Sequence, residues 1–139
     1  ISGPDIIDGI HAAWSEVSRR GSVLVLAQMS SSKNFLDTRY TEKTVDSCKG
    51  MPGVCGFIGN GSNPSSISSL REAVGPEKVI FTPGINFDPS QSVMGQRYGH
   101  PTEAIRSGAD AVIVGSGIIR SGSVSDAAAQ YASATMDEV

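Results

Sequence analysis

Four short apolar runs divide the chain: Val23 to Met29, Val54 to Ile58, Lys78 to Phe81 and Ala111 to Val114. Each is mostly β-branched or aliphatic, and none alternates cleanly between apolar and polar. A strand with one wet face would alternate; a strand buried on both faces of a parallel sheet would not. Helical patterns fill the gaps. Pro4 to Val17 carries Ile6, Ile7, Ile10 and Trp14 on one face, and Thr41 to Lys49 carries Thr44, Val45 and Cys48. Ser65 to Val74 follows Asn63-Pro64, a cap with Pro in the first turn. Pro101 to Ser107 opens on Pro and closes at Gly108, and Ser125 to Thr135 is Ala-rich with Ser125 as its expected cap. The order predicted is α-β-α-β-α-β-α-β-α, with strands starting roughly 25–30 residues apart, the length of a βα unit. Strict alternation of this kind predicts an α/β fold with parallel strands. Four βα units fall short of the roughly 250 residues of a (β/α)8 barrel, so the pattern fits a small open sheet or half a barrel.

Composition narrows the function classes. With 139 residues the chain suits one domain or a piece of one. A net charge of −3 gives no electrostatic footprint for nucleic acid or an anionic membrane surface. No apolar run approaches the ~20 residues of a membrane-spanning helix, and the opening "ISGPDIIDGI" lacks the basic start of a signal peptide. Cys48 and Cys55 form neither a CxxC nor a zinc spacing with His, so they read as reduced, inert thiols of a cytoplasmic protein. The chain opens on Ile-Ser-Gly-Pro rather than Met, and reads as if it starts within a longer sequence.

In parallel α/β folds ligands bind at the C-terminal ends of the strands. Here those ends carry Ser30-Ser31-Ser32, Gly59-Asn60-Gly61, Thr82-Pro83-Gly84 and Gly115-Ser116-Gly117. No Cys-His pair, Ser-His-Asp set or His/carboxylate cluster accompanies them, so the inventory suits binding an anion and a polar ring. The run "AVIVGSGII", Ala111 to Ile119, ends in small residues that free backbone N–H groups beside a helix start. A phosphate is the natural ligand, although the same loop is equally a tight strand-to-helix turn. The long connection from Asn86 to His100 is the one large enough to act as a lid or clamp. It brings the Gln96 amide, the Arg97 charge and the Tyr98 phenol. Lys33, in an open loop, reads as a solvated charge rather than a catalytic amine. His11, His100 and Trp14 carry no specific signal, and Asp37, Tyr40 and Glu42 look like a helix entry.

The blocks "LAQMSSSKNF", "VCGFIGNG", "FTPGINFD", "MGQRYGHPTEAI" and "GADAVIVGSGII" together resemble the second half of orotidine 5′-monophosphate decarboxylase of the eukaryotic type, as in the decarboxylase domain of uridine monophosphate synthase. The likeness spans nearly the whole chain, in the family's order and spacing. It implies that residues 1–139 are the C-terminal half, strands five to eight, of a TIM (β/α)8 barrel. It also implies cofactor-free and metal-free decarboxylation of orotidine 5′-monophosphate to uridine 5′-monophosphate. By the same resemblance Ser30 would contact the pyrimidine and Pro83 would lie near the base. Gln96 and Tyr98 would hold the phosphate, and the backbone of Gly115 and Ser116 would complete its cup. The family's homodimeric assembly would follow, with an N-terminal half-barrel polypeptide as partner.

Two departures matter. The family's catalytic Asp-Lys-Asp array belongs to the first half of the barrel, and no residue here replaces it. At Ser116 the family usually has Arg, "VGRGII" against "VGSGII". Serine brings one neutral hydrogen bond and no charge, a loss of about 1.5–3 kcal/mol, or roughly tenfold to a hundredfold in affinity. Arg97 and Arg120 are the residues placed to compensate. The alternative reading is a non-catalytic phosphate-binding half-barrel or inactive paralogue. A third, a 3-keto-gulonate-phosphate decarboxylase relative, is opposed by the pairing of "TPGI" with "GQ".

Overall fold

The computed structural model describes residues 3–88 and 95–136. Its elements follow the predicted order, with a second helix after the last strand: α1 (Asp5–Glu16), β1 (Val23–Leu26), α2 (Thr38–Cys48), β2 (Val54–Ile58), α3 (Pro64–Val74), β3 (Val79–Thr82), α4 (Pro101–Arg106), β4 (Ala111–Val112), α5 (Ser116–Ile119) and α6 (Val124–Met136). The four strands pair in parallel and in chain order, β1-β2-β3-β4. The parallel α/β expectation therefore holds.

Caps explain where the helix boundaries moved. α2 begins three residues earlier than the apolar pattern suggested, because the Asp37 carboxylate accepts the Tyr40 N–H at 2.8 Å. Asn63 caps α3 as expected, its side-chain oxygen accepting the Ser66 N–H. At α6 the cap is Ser123 rather than Ser125: its hydroxyl accepts the Asp126 N–H, and Ser125 lies inside the helix. Gly108, at φ +105°, follows α4 in a backbone conformation that other residues resist. β1 stops at Leu26 instead of Met29, since Ala27 and Gln28 both donate to the Ile58 carbonyl and the ladder ends there.

The register sorts the apolar runs into two faces. Val25, Phe57 and Ile80 are aligned partners, and Phe57 and Ile80 are fully buried with Ile7, Val45 and Leu70 of the helices. The neighbouring row, Leu26, Ile58, Phe81 and Ala111, lies on the opposite face and is half-buried or exposed. This is why the strands show no alternation: both faces are apolar, but the helices cover one. Beyond the outer strands lie two grooves. One, of about 870 Å³, runs along β1 and is walled by Ile6, Ile7, Val25 and Leu36. The other, of about 440 Å³, lies beside β4, walled by Val112, Val114, Ile118 and Met136.

Both cysteines are free thiols, as read from their spacing. Cys48 is buried, and burial pushes its thiol up. The folded chain thus holds that proton to higher pH than the unfolded chain does. The resulting stability is present in full below about pH 8.5, the unfolded thiol value, and is lost as pH rises through the raised folded value. Urea denaturation at about pH 7 and about pH 10 should show a steeper alkaline loss for the native chain than for Cys48→Ala. Equal slopes would remove Cys48 from the account.

Candidate functional site

The strand ends are drawn together by the segment that returns from the long loop. After β3 the chain turns at Gly84, whose φ of +78° is open to glycine without penalty. The turn lets two rungs form with the returning chain: Gly99 donates to the Gly84 carbonyl at 2.9 Å, and Asn86 donates to the Gly99 carbonyl at 3.0 Å. The same returning segment reaches the end of β1. Ser32 donates to the Gly95 carbonyl at 2.8 Å, and Ser31 bridges Gln96. Residues 95–99 therefore lie across the top of the sheet, from the β1 end to the β3 end. Positions 89–94 of the expected clamp fall outside the described residues.

This crossing sets the side chains. The Gln96 amide donates to the Ser30 hydroxyl and, at 3.0 Å, to the Arg97 carbonyl. Ser30 itself is 4% exposed, so its hydroxyl is held in place rather than solvated. On the far side the Tyr98 hydroxyl pairs with the Ser116 hydroxyl at 3.3 Å. β4 delivers Gly115 and Ser116 to the start of α5, the short helix anticipated after "AVIVGSG". Thr82 fixes the spacing between these ends: it is fully buried, and its hydroxyl donates to the Ala111 carbonyl at 3.3 Å.

The result is one cleft of about 470 Å³ at the C-terminal ends of the strands. All six residues singled out from the sequence line it: Ser30, Pro83, Gln96, Tyr98, Gly115 and Ser116. Its size suits a ligand of nucleotide scale. Its polar groups are neutral donors and acceptors on one side and backbone at a helix start on the other. The two arginines considered as substitutes are placed elsewhere. Arg97 turns its Nε to the Ser30 carbonyl at 3.3 Å and lines a neighbouring cavity with Gln28, Asn60 and Asn63. Arg120 is exposed at the end of α5 and does not line the cleft.

Among the described residues no group of three His, Cys, Asp or Glu side chains is arranged to hold a metal ion. Nor is any described helix long and apolar enough to cross a membrane. Lys33 is exposed, with a left-handed φ of +57°. His100 is half-buried at the start of α4, its ring edge-on to Phe87 at 5.2 Å, so it packs rather than solvates. The sequence placed Gly84 among the strand ends but gave no role to Asn86 or Gly99, which the returning chain pairs across the turn.

Residues 1–131 match the family described as orotidine 5′-phosphate decarboxylase / HUMPS. The chain belongs to this family. Among its relatives is the orotidine 5′-phosphate decarboxylase of Coccidioides immitis, 34% identical over 143 residues, which span 99% of this chain and 52% of that protein. The enzyme of Penicillium nalgiovense is 36% identical over 115 residues, or 82% of this chain and 41% of its own. In three dimensions the chain superimposes on the orotidine 5′-monophosphate decarboxylase of Methanocaldococcus jannaschii, solved with the inhibitor BMP. The TM-score is 0.74 at 19% identity, over 96% of this chain and 57% of that one. The Sulfolobus solfataricus enzyme gives a TM-score of 0.72 at 20% identity, over 94% and 55%. The four-stranded sheet is thus the half of a TIM (β/α)8 barrel expected from the sequence. The chain spans about half the length of the decarboxylases it matches.

Proposed function

We propose that this chain is the phosphate- and base-binding half of an orotidine 5′-monophosphate decarboxylase, acting without a cofactor to give uridine 5′-monophosphate and carbon dioxide. The observation that carries the reading is the convergence of Ser30, Pro83, Gln96, Tyr98, Gly115 and Ser116 on one cleft. In this reading Ser30, held by Gln96, presents its hydroxyl to the pyrimidine, and Pro83 lies against the base. Gln96, Tyr98 and the backbone of Gly115 and Ser116 take the phosphate. Binding that remote group supplies energy that can be used at the reacting ring. The proton donor for the carbanion left by carbon dioxide lies on an N-terminal half-barrel.

Two features support that partner. Among the described residues both outer strands leave their edges unpaired, a hazard that folded proteins cover, and each edge is flanked by an apolar groove. The half-exposed row of Leu26, Ile58 and Phe81 is the other. Completed barrels would then pair as a homodimer in the cytoplasm. Native mass spectrometry should find the chain with a second polypeptide; a folded, monomeric species of 14.4 kDa alone would count against it.

Ser116 gives the sharpest test of the phosphate site. With neither Arg97 nor Arg120 lining the cleft, Ser116→Arg should restore a charged contact beside Tyr98. Titration with uridine 5′-monophosphate should show binding roughly tenfold to a hundredfold tighter. No gain in affinity would sink the placement of phosphate at this loop.

A further inference from the structure

Tyr131 stands away from the cleft, on α6, and is 5% exposed. Its hydroxyl accepts the Phe87 N–H at 3.2 Å and donates to the Asn86 side-chain oxygen at 3.3 Å. Its ring lies against Phe87, with centroids 4.4 Å apart. Asn86 in turn pairs with Gly99, the rung that closes the base of the long loop, and its side-chain oxygen also accepts the Asp88 N–H at 3.0 Å. The same phenol meets the other side of the site: a side chain at Gly117 would collide with the Tyr131 hydroxyl. One buried oxygen therefore touches the start of the loop that carries Gln96 and Tyr98, and packs under the loop that carries Gly115 and Ser116.

We propose that Tyr131 is a positioning residue that sets the two loops of the phosphate cup against each other, acting through Asn86 and Gly117. The proposal rests on the reading of the cleft as a phosphate site. A phenol serves here because its hydroxyl is fixed by the ring plane and both donates and accepts. A phenylalanine at this position keeps the packing but takes the hydroxyl from the Phe87 N–H and from the Asn86 oxygen, which keeps the Asp88 N–H. The distance between the loops then relaxes. A ligand that spans both loops through its phosphate should feel that change, and one without a phosphate should not.

The test compares uridine 5′-monophosphate with uridine by calorimetric titration of the natively purified protein. The native protein should prefer the phosphorylated ligand. Tyr131→Phe should cut that preference roughly three- to tenfold, the scale of the neutral hydrogen bonds its hydroxyl makes, while leaving uridine binding unchanged. Asn86→Ala should do the same, and the double variant should lose clearly less than the sum of the two single variants, because they share the Tyr131–Asn86 bond. A merely structural role would weaken both ligands alike, or make the two changes additive, and either result overturns the proposal. So does an unchanged preference in Tyr131→Phe. Should that variant fail to fold, an unchanged preference in Asn86→Ala overturns it. A native protein with no preference for the phosphate refutes the site reading itself, before any variant is made, and the proposal falls with it.

Discussion

Arg71→Met is expected to lower the unfolding free energy by about 2–4 kcal/mol, read as a shift in the urea midpoint. Arg71 sits on α3, and its guanidinium serves four backbone contacts at once. Nη1 donates to the carbonyls of Gly75 and Lys78, both at 2.7 Å. Nε and Nη2 donate to the Gly108 carbonyl at 3.0 and 2.9 Å. Nη2 also pairs with the Asp110 carboxylate, which accepts the Ile80 N–H at 2.7 Å. One side chain thus ties the end of α3 and the turn into β3 to the exit of α4 and the entry to β4. Methionine keeps the stem and its packing, so the loss reports on the polar contacts. The ion pair alone would account for little, since Asp110 is 47% exposed. The weight falls on carbonyls left without a charged donor. Asp110→Asn should therefore cost well under half as much as Arg71→Met. Arg71→Lys should recover only a minor part, because an ammonium cannot fork to three carbonyls.

Gly84→Ala is expected to remove binding at the cleft, with the affinity for uridine 5′-monophosphate falling roughly a hundredfold or more. Two costs combine. A left-handed backbone costs an alanine about 1–2 kcal/mol. The added methyl would also stand 2.5 Å from both Cβ and Oγ of Ser30 and 3.1 Å from the Arg97 carbonyl. Relieving that contact costs a further 1–3 kcal/mol or so. It does so by moving the serine that Gln96 holds. Gly75→Ala is the control for an added methyl at positive φ. Gly75 has the same φ of +78°, yet no atom lies within 4 Å of where its methyl would go. It should lose stability through backbone strain and leave ligand affinity unchanged. Similar affinity losses in the two variants would mean that strain, not the displaced Ser30, is responsible.

The chain's sequence determined the class of fold and the strand ends that carry the site. Four apolar runs without alternation imply strands apolar on both faces, and such strands belong to parallel sheets. The small residues after each run mark where backbone must be exposed. Both signals are local, so a linear reading recovers them. Helix starts were less legible. A cap is decided by which of several nearby serines meets an N–H, as Ser123 shows against Ser125; the helix entry read at Asp37 and Tyr40 is where Asp37 caps α2.

Only the tertiary structure decided which polar groups face the cleft. "GQRYG" offers three donors of similar reach, and the charged one would be the natural choice for an anion. In an extended segment alternate side chains point to opposite sides. The bridge between Ser31 and Gln96 sets which side is which. It turns Gln96 and Tyr98 into the cleft and Arg97 out of it. Ser30 and Gln96 meet across 66 positions, and Tyr131 and Asn86 across 45. No periodicity or spacing encodes contacts at that range, because they depend on how the strands and the returning loop are stacked.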